Sequence, residues 1–455
     1  MKRLCKNYNQ RKNNDNTYPN NYTPIMSNSP PTIDEPTKTC STSSAIPIRV
    51  TSFFFLGTCA WSLVNAIFAE LPLILGWNGD WSLASSISLC IALSNVLPIL
   101  WSIIADARNG KPLISTSTGI GCLLVFGLAI ALVFCLADIP TITQESPKLL
   151  LTLSTCSGVV GVMSLVLFFP HAYESSRLDQ GWSITSLGTG TAIANFFLAA
   201  MAMVQGPGLA TPKFSMSAYF GICVAFFGTA ILGWIGTILY KAEPTKSNEA
   251  VETAIDVEEA KEPVEADIDD DKTNFQFAFW KVLLPIATDP RFREANLVQL
   301  ILNAITFFLP GVAPFSVAHF PNPQLALQYL TISQLVAQTI GIAMTGIQSL
   351  RSERLTALLI ASILAWIPTV VLSVVNQTDS FHSLQEHAAV PIAFNFVFNL
   401  LYGYVSTTCF QVVGSRCKDG ENGEHITRVL GFLNQVGSMT GSIVGYLSVT
   451  KGGLS

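Results

Sequence analysis

The sequence predicts an all-α, polytopic membrane protein of about eleven transmembrane helices. Half of the 455 residues are hydrophobic and only 12% are charged, with a mean hydropathy of +0.45, a composition suited to lipid rather than water. Apolar runs of about 20 residues, long enough to cross a bilayer as helices, recur along the chain.

The runs fall near 50–71, 83–105, 113–137, 149–170, 184–205, 217–240, 295–315, 325–347, 355–375, 389–412 and 428–449. The predicted organisation is therefore a tail over 1–49, a six-helix bundle over 50–240, an acidic loop over 241–290 and a five-helix bundle over 291–455. The tail is rich in Asn, Thr, Ser and Pro, carries seven Lys or Arg and cannot bury a core, so it reads as disordered and cytosolic. It lacks the short apolar core and cleavage site of a signal peptide, which leaves the first run as its own targeting signal.

Of the 30 Asp and Glu residues, 12 lie in 241–274 against four Lys. The net charge of -5 therefore belongs to a loop and indicates no nucleic-acid partner. The stretch 275–285, FQFAFWKVLLP, reads as a short amphipathic helix on the membrane surface. Seven of the ten cysteines fall within apolar runs, and the sequence shows no disulfide framework, zinc spacing or CxxC pair.

Charge asymmetry sets the expected orientation. With the tail inside, the short cytosolic loops hold eight cations (Arg108, Lys111, Arg177, Arg351, Arg354, Arg416, Lys418 and Arg428) and the exoplasmic segments hold three, Lys148, Lys213 and Lys451. The sequon Asn376-Gln377-Thr378 then falls outside, and an odd helix count places the carboxyl terminus outside too. Loop 106–111, Asp-Ala-Arg-Asn-Gly-Lys, looks like a degraded DRxGRK loop of major facilitator transporters, or is a charged turn. Gly437, Gly441 and Gly445 recur at four-residue spacing, so two helix backbones are expected to approach closely there.

Four runs carry polar residues in register with the helical turn. Asn296, Gln299, Asn303 and Thr306 share one face, as do Asn395, Asn399, Tyr402 and Ser406. Gln328, Thr331, Gln334 and Gln338 form a third stripe, and Thr58, Trp61 or Ser62, and Asn65 a shorter fourth. A carboxamide facing lipid lacks partners, so these faces should look inward, either to glue helices together or to line a shared polar cavity. Glu70 is the only ionisable side chain within the runs, close to a membrane end, and nothing resembles a buried proton relay. P-loop, HExxH and GxSxG patterns are absent as well, so no enzyme, metal site or cofactor is expected. A cavity of amides, hydroxyls and aromatics suits a neutral, hydrogen-bonding, partly aromatic solute such as a nucleoside, flavin or pterin. Trp61 either stacks on such a ring or packs the core; Glu70 either is solvated at the outer mouth or orients substrate and closes a gate.

Gly57, Trp61, Asn65 and Glu70-Leu71-Pro72 match the first-helix pattern GxGSWxxxNGxxxELP of the eukaryotic riboflavin transporter family, which this sequence resembles. Trp81, Leu83, Leu93, Asn95 and Pro98 fit that family's next motifs, and Gly188, Gly190 and Gln205-Gly206-Pro207-Gly208 resemble its GxG and QGxG. Gln435 to Gly441 looks like its QxGSxxG, and Tyr404-Val405 like its SYVK. The chain departs from the family at Phe307-Phe308, at Gln338 and at Ser406, which stand where the family has an amide-bearing sequence, Asn and Lys. The resemblance implies a major-facilitator-like arrangement of eleven helices, here six plus five, and carrier-mediated riboflavin uptake across the plasma membrane without sodium coupling. It makes Trp61, Asn65, Glu70, Asn95, Asn303 and Thr306 candidate flavin contacts.

The reading is a carrier that holds riboflavin near the bilayer midplane between two rocking bundles. The isoalloxazine would stack on Trp61 or Tyr402, while Asn65, Asn303, Thr306, Gln338 and Gln435 would bond its polar edge and ribityl chain. Without an intramembrane relay, transport is expected to be uncoupled. One rival is an equilibrative nucleoside-type carrier; another is a receptor or scaffold that recruits partners through the acidic loop.

Overall fold

The computed structural model describes residues 45–107, 114–174, 180–209, 211–239, 285–347, 352, 354–375, 389–416 and 423–451. The tail up to 44, the acidic loop and surface helix up to 284, the sequon and residues 108–111 lie outside the described residues.

The first apolar run is bent where the sequence predicts one rod. Helices α1 (Ala45–Gly57) and α2 (Ser62–Ala69) meet at 40°. Local hydroxyls compete with the helical ladder here: Thr58 Oγ1 donates to Phe55 O at 2.7 Å and Ser62 Oγ to Cys59 O at 3.1 Å. Trp61 sits at the break with φ -120°. Helix α3 (Leu71–Asn78) starts directly after Glu70, with Pro72 in its first turn, where a missing N–H does no harm, and stops at Gly79, whose φ is 75°.

The second run is divided too, into α4 (Ser82–Leu93) and α5 (Val96–Ala107). Pro98 accounts for the break, because its ring opposes the carbonyl of Ser94 and it has no N–H to donate. There follow α6 (Thr116–Leu136), the short α7 (Ile139–Glu145), α8 (Pro147–Glu174), α9 (Gln180–Gln205) and α10 (Met216–Leu239). Beyond the acidic loop come α11 (Arg293–Val312), a 3-10 turn (Ala313–Ser316), α12 (Pro323–Met344), α13 (Leu355–Val375), α14 (Ala389–Arg416) and α15 (Gly423–Thr450). The described residues contain no strand.

All eleven predicted runs are helical. Among the described residues, nine spans are long and apolar enough to cross a membrane, and the α1/α2 pair would make ten. Helix α15 falls short because amides, hydroxyls and glycines interrupt its apolar residues.

Residues 44–455 form one compact unit. In its first half α1 packs on α9 and α10, α6 on α8 and α10, and α4 on α8; in its second, α11 packs on α15, and α14 on α12 and α13. The halves meet where α9 touches α12, α3 touches α12, and α4 touches α11 and α15. Val125 and Leu136 on α6, Leu232 and Leu239 on α10, and Leu364 on α13 are exposed, forming the apolar outer surface that a bilayer would cover.

The glycine stripe does what its spacing predicts. Added Cβ atoms at Gly437, Gly441 and Gly445 would run into the carbonyl oxygens of Leu300, Ala304 and Phe308 on α11. Gly441→Val is expected to destabilise the protein by about 1–3 kcal/mol or more, since the obstacle is backbone and cannot turn aside. A lowered melting temperature of the purified variant measures the effect, and a melting temperature equal to the wild type's would refute the close packing.

Candidate functional site

Each polar stripe turns inward. On α11, Asn296, Gln299, Asn303 and Thr306 are all buried; on α14, Asn395 and Asn399 are buried, and Tyr402 and Ser406 half-buried. Gln328 and Thr331 of α12 are buried, and Gln334 and Gln338 half-buried. The stripes then pair across helix boundaries. Tyr402 OH donates to Asn303 Oδ1 at 3.2 Å, and Asn303 Nδ2 to Gln299 O at 2.7 Å. Gln299 Nε2 donates to Ser406 Oγ at 3.0 Å, which ties α11 to α14 a second time. On the other side of α14, Gln338 Nε2 donates to Asn399 Oδ1 at 3.0 Å, and Asn399 Nδ2 to Asn395 Oδ1 at 3.0 Å. Asn395 Nδ2 returns to Leu330 O on α12 at 3.2 Å.

The first half has its own amide pair. Asn65 Nδ2 of α2 donates to Asn195 Oδ1 of α9 at 2.7 Å. One turn from Asn195, the Ala192 carbonyl accepts from Thr339 Oγ1 of α12 at 3.2 Å, so α9 presents one face to both networks. Gln338 is the neighbour of Thr339 in sequence. Trp61 completes the juxtaposition: its ring lies 6.2 Å from that of Phe307 on α11, tilted by 52°, and covers Gly161 of α8.

The structure thus joins Asn303 to Tyr402 directly, places Trp61 beside Phe307, the neighbour of Thr306, and brings Asn65 and Thr339, the neighbour of Gln338, onto α9. Thr306 bonds back to Leu302 O at 2.7 Å. Asn95 lies at the α4/α5 break, where Nδ2 donates to Ala92 O at 2.8 Å, and Gln435 is buried on α15. Hydrogen-bonding capacity is left over at three of these groups: Asn95 Oδ1, Gln299 Oε1 and Gln435 Nε2 are buried without partners. Two acceptors and one donor, all neutral, can serve a neutral polar solute or water; they offer an anion no positive charge.

For Glu70 the sequence leaves open a solvated carboxylate at the outer mouth or one that orients substrate and closes a gate; the side chain is 0% exposed, which removes the solvated alternative. The α2/α3 junction turns it inward beside Gln205 of α9 and Tyr219 of α10. Asn195, the partner of Asn65, is the contact that sequence reading missed, although an amide inside the fifth apolar run was a visible signal. Among the described residues no cluster of His, Cys, Asp or Glu has the makings of a metal site.

Residues 48–212 match the family described as solute carrier family 52, riboflavin transporter. No curated protein matches the chain by sequence. Among solved structures, the chain is similar to a crystal structure of a point mutant of the nucleoside transporter NupG, with a TM-score of 0.51 and 12% identity over 89% of this chain and 92% of that one. A second NupG crystal structure aligns with a TM-score of 0.49 and 11% identity over 88% and 91%. The first likeness, at 12% identity, shows the all-helical polytopic fold alone.

If Asn65 and Asn195 support each other across α2 and α9, Asn65→Ala strands a buried carboxamide and lowers stability by about 1–3 kcal/mol. Replacing both by Ala should cost less than the sum of the single changes, with a coupling of about 1 kcal/mol. Thermal unfolding of the four proteins in detergent measures this, and strict additivity would remove the pair. The riboflavin transporter family of solute carriers is thus what residues 48–212 of the 455-residue chain are similar to.

Proposed function

We propose that the protein carries riboflavin across the plasma membrane by alternating access, the solute being held between the two helical halves. The observation that carries this reading is the family match over residues 48–212, and the neutral amide chemistry of the interior is consistent with it. Riboflavin presents an imide edge that both donates and accepts, a hydroxylated chain and a flat tricyclic ring. Gln435 Nε2 and the acceptors at Gln299 and Asn95 supply the matching hydrogen-bond types, and Trp61 and Tyr402 supply ring faces. Asn65, Asn303, Thr306 and Gln338 would re-pair with solute as it enters, exchanging one hydrogen bond for another at small net cost.

In this reading 50–240 and 291–455 act as the two moving bundles, joined by the acidic loop 241–290. Contacts between the halves would break on one side and form on the other, as in other transporters with binding sites at a midplane interface. The positive-inside count puts the amino terminus in the cytosol and the carboxyl terminus outside. The turn after α9 and the start of α12 then face the exterior.

Cells expressing the chain are expected to accumulate radiolabelled riboflavin saturably, with unlabelled riboflavin abolishing the uptake. The fold likeness to a nucleoside transporter makes adenosine and uridine the informative competitors. Competition by nucleosides without competition by flavins would overturn the substrate assignment.

Tyr402→Phe and Gln338→Ala each remove one polar contact, worth about tenfold in affinity. Each should therefore raise the KM for riboflavin by about that factor in protein that still reaches the cell surface, and unchanged kinetics in both would displace the site.

A further inference from the structure

Adjacent phenylalanines on α11 face different partners. Phe308 packs inside the second half, its ring edge-on to that of Trp366 on α13 at 5.5 Å. Phe307 reaches across to the first half instead, where its ring lies 6.2 Å from that of Trp61, tilted by 52°. Both members of this second pair are half-buried.

Each of the two rings is fastened to its own half. Trp61 stands at the α1/α2 break, which α8 ties down: Ser164 Oγ donates to Ala60 O at 3.4 Å. The indole lies against Gly161 of α8, where an added Cβ would stand 3.1 Å from Trp61 Cε3 and crowd it. On the other side, the Phe307 carbonyl accepts from Ser442 Oγ of α15 at 3.1 Å. Motion of one half against the other therefore changes the separation of these rings.

The ring pair also stands between two polar pairs. Among the described residues five spans separate the first run from α11, so the two traverse the bilayer in the same sense. Asn65 comes four residues after Trp61 and Asn303 four residues before Phe307, which is about 6 Å along each helix axis, in opposite directions. The Asn65/Asn195 pair thus lies to one side of the rings and the Asn303/Tyr402 pair to the other. A solute handed from one polar pair to the other has to pass between the rings.

In the arrangement seen here a third ring does not fit. Stacking on both faces requires about 7 Å between the flanking ring planes, twice a contact distance of about 3.5 Å, so Trp61 and Phe307 must turn parallel and part. Parting them forfeits an aromatic contact. A solute with two flat conjugated faces restores it twice over, whereas a saturated sugar or chain offers no such face.

We propose that Phe307 determines the specificity of this carrier: with Trp61 it forms a two-ring jaw, one ring from each half, that opens for flat conjugated ring systems. The jaw reads the ring of the solute, and the polar pairs on either side take up its hydrogen-bonding groups. Phe307 is one of the positions at which the chain departs from the family it resembles, so this selection belongs to the chain itself. The inference rests on the riboflavin carrier reading, in which the isoalloxazine is the ring that enters.

Uptake of labelled riboflavin tests it, with lumiflavin, the same tricyclic ring bearing a methyl group in place of the ribityl chain, and ribitol, the chain without the ring, as competitors. Against the wild type lumiflavin should compete nearly as well as unlabelled riboflavin, and ribitol should not compete. Phe307→Leu keeps apolar bulk but loses the flat face. It should raise both the KM for riboflavin and the inhibitory concentration of lumiflavin by about three- to tenfold in protein that reaches the cell surface. Phe307→Tyr should restore both values. Phe308→Leu, which alters a ring held inside one half, should lower the melting temperature and move neither value. Unchanged values in Phe307→Leu, failure of Phe307→Tyr to restore them, or an equal rise in Phe308→Leu overturns the proposal. Absence of riboflavin uptake by the wild type defeats the substrate reading instead.

A second measurement needs no transport and decides the case if a variant is inactive. Lumiflavin bound to the folded protein should raise the melting temperature of the purified wild type, and raise that of Phe307→Leu much less. Equal shifts in the two proteins, or none in either, would overturn the jaw.

Discussion

Hydrocarbon offers no hydrogen bonds, and this constraint organises the whole interior. Every amide on α11, α12 and α14 must find a partner within the protein, and the shortest route is another amide on the next helix. The ties from Asn303 to Tyr402, from Gln338 to Asn399 and from Asn65 to Asn195 are its outcome. The same constraint makes the unmatched groups informative. Partners found for most of the amides throw into relief the buried amide atoms without one, those of Asn95, Gln205, Gln299, Gln411 and Gln435.

The two breaks in the first half reinforce this picture. Straight helices would have directed Trp61 and Asn95 along regular faces. Hydroxyls competing for carbonyls bend the first run, and Pro98 divides the second, so each residue lies at an interruption of the ladder. Backbone groups at such interruptions are freed from the regular helix pattern, which is where polar solutes are commonly met in membrane carriers.

Periodicity made much of this legible. The stripes on α11, α12 and α14 were evident from steps of three and four, and the glycines of α15 from steps of four, because burial of one helical face repeats with the turn. The bend at residues 58–61 was not, since no proline marks it and the competing hydroxyl bonds form only once the chain is folded. Asn195, and the burial of Glu70, escaped for a related reason. The partner of Asn65 is 130 positions away, and what seals Glu70 is α9 and α10, which no local pattern around it announces. The 3-10 turn and the short α3 and α7 went unread because none is long enough to show a period. The acidic loop was legible as a loop from charge alone.

The contact of α15 with the carbonyls of α11 has a consequence for the working cycle. Two helices in backbone contact along three turns can neither slide nor roll independently, because any shift would drive a Cα into a carbonyl. They behave as one stiff plank. In the proposed carrier, Gln435 would therefore keep its spacing to Gln299 and Asn303 through the cycle, and this part of the proposed site would already be assembled when a solute arrives. Little ordering remains for the ligand to impose there, and the free energy of its arrival is left for the motion between the halves.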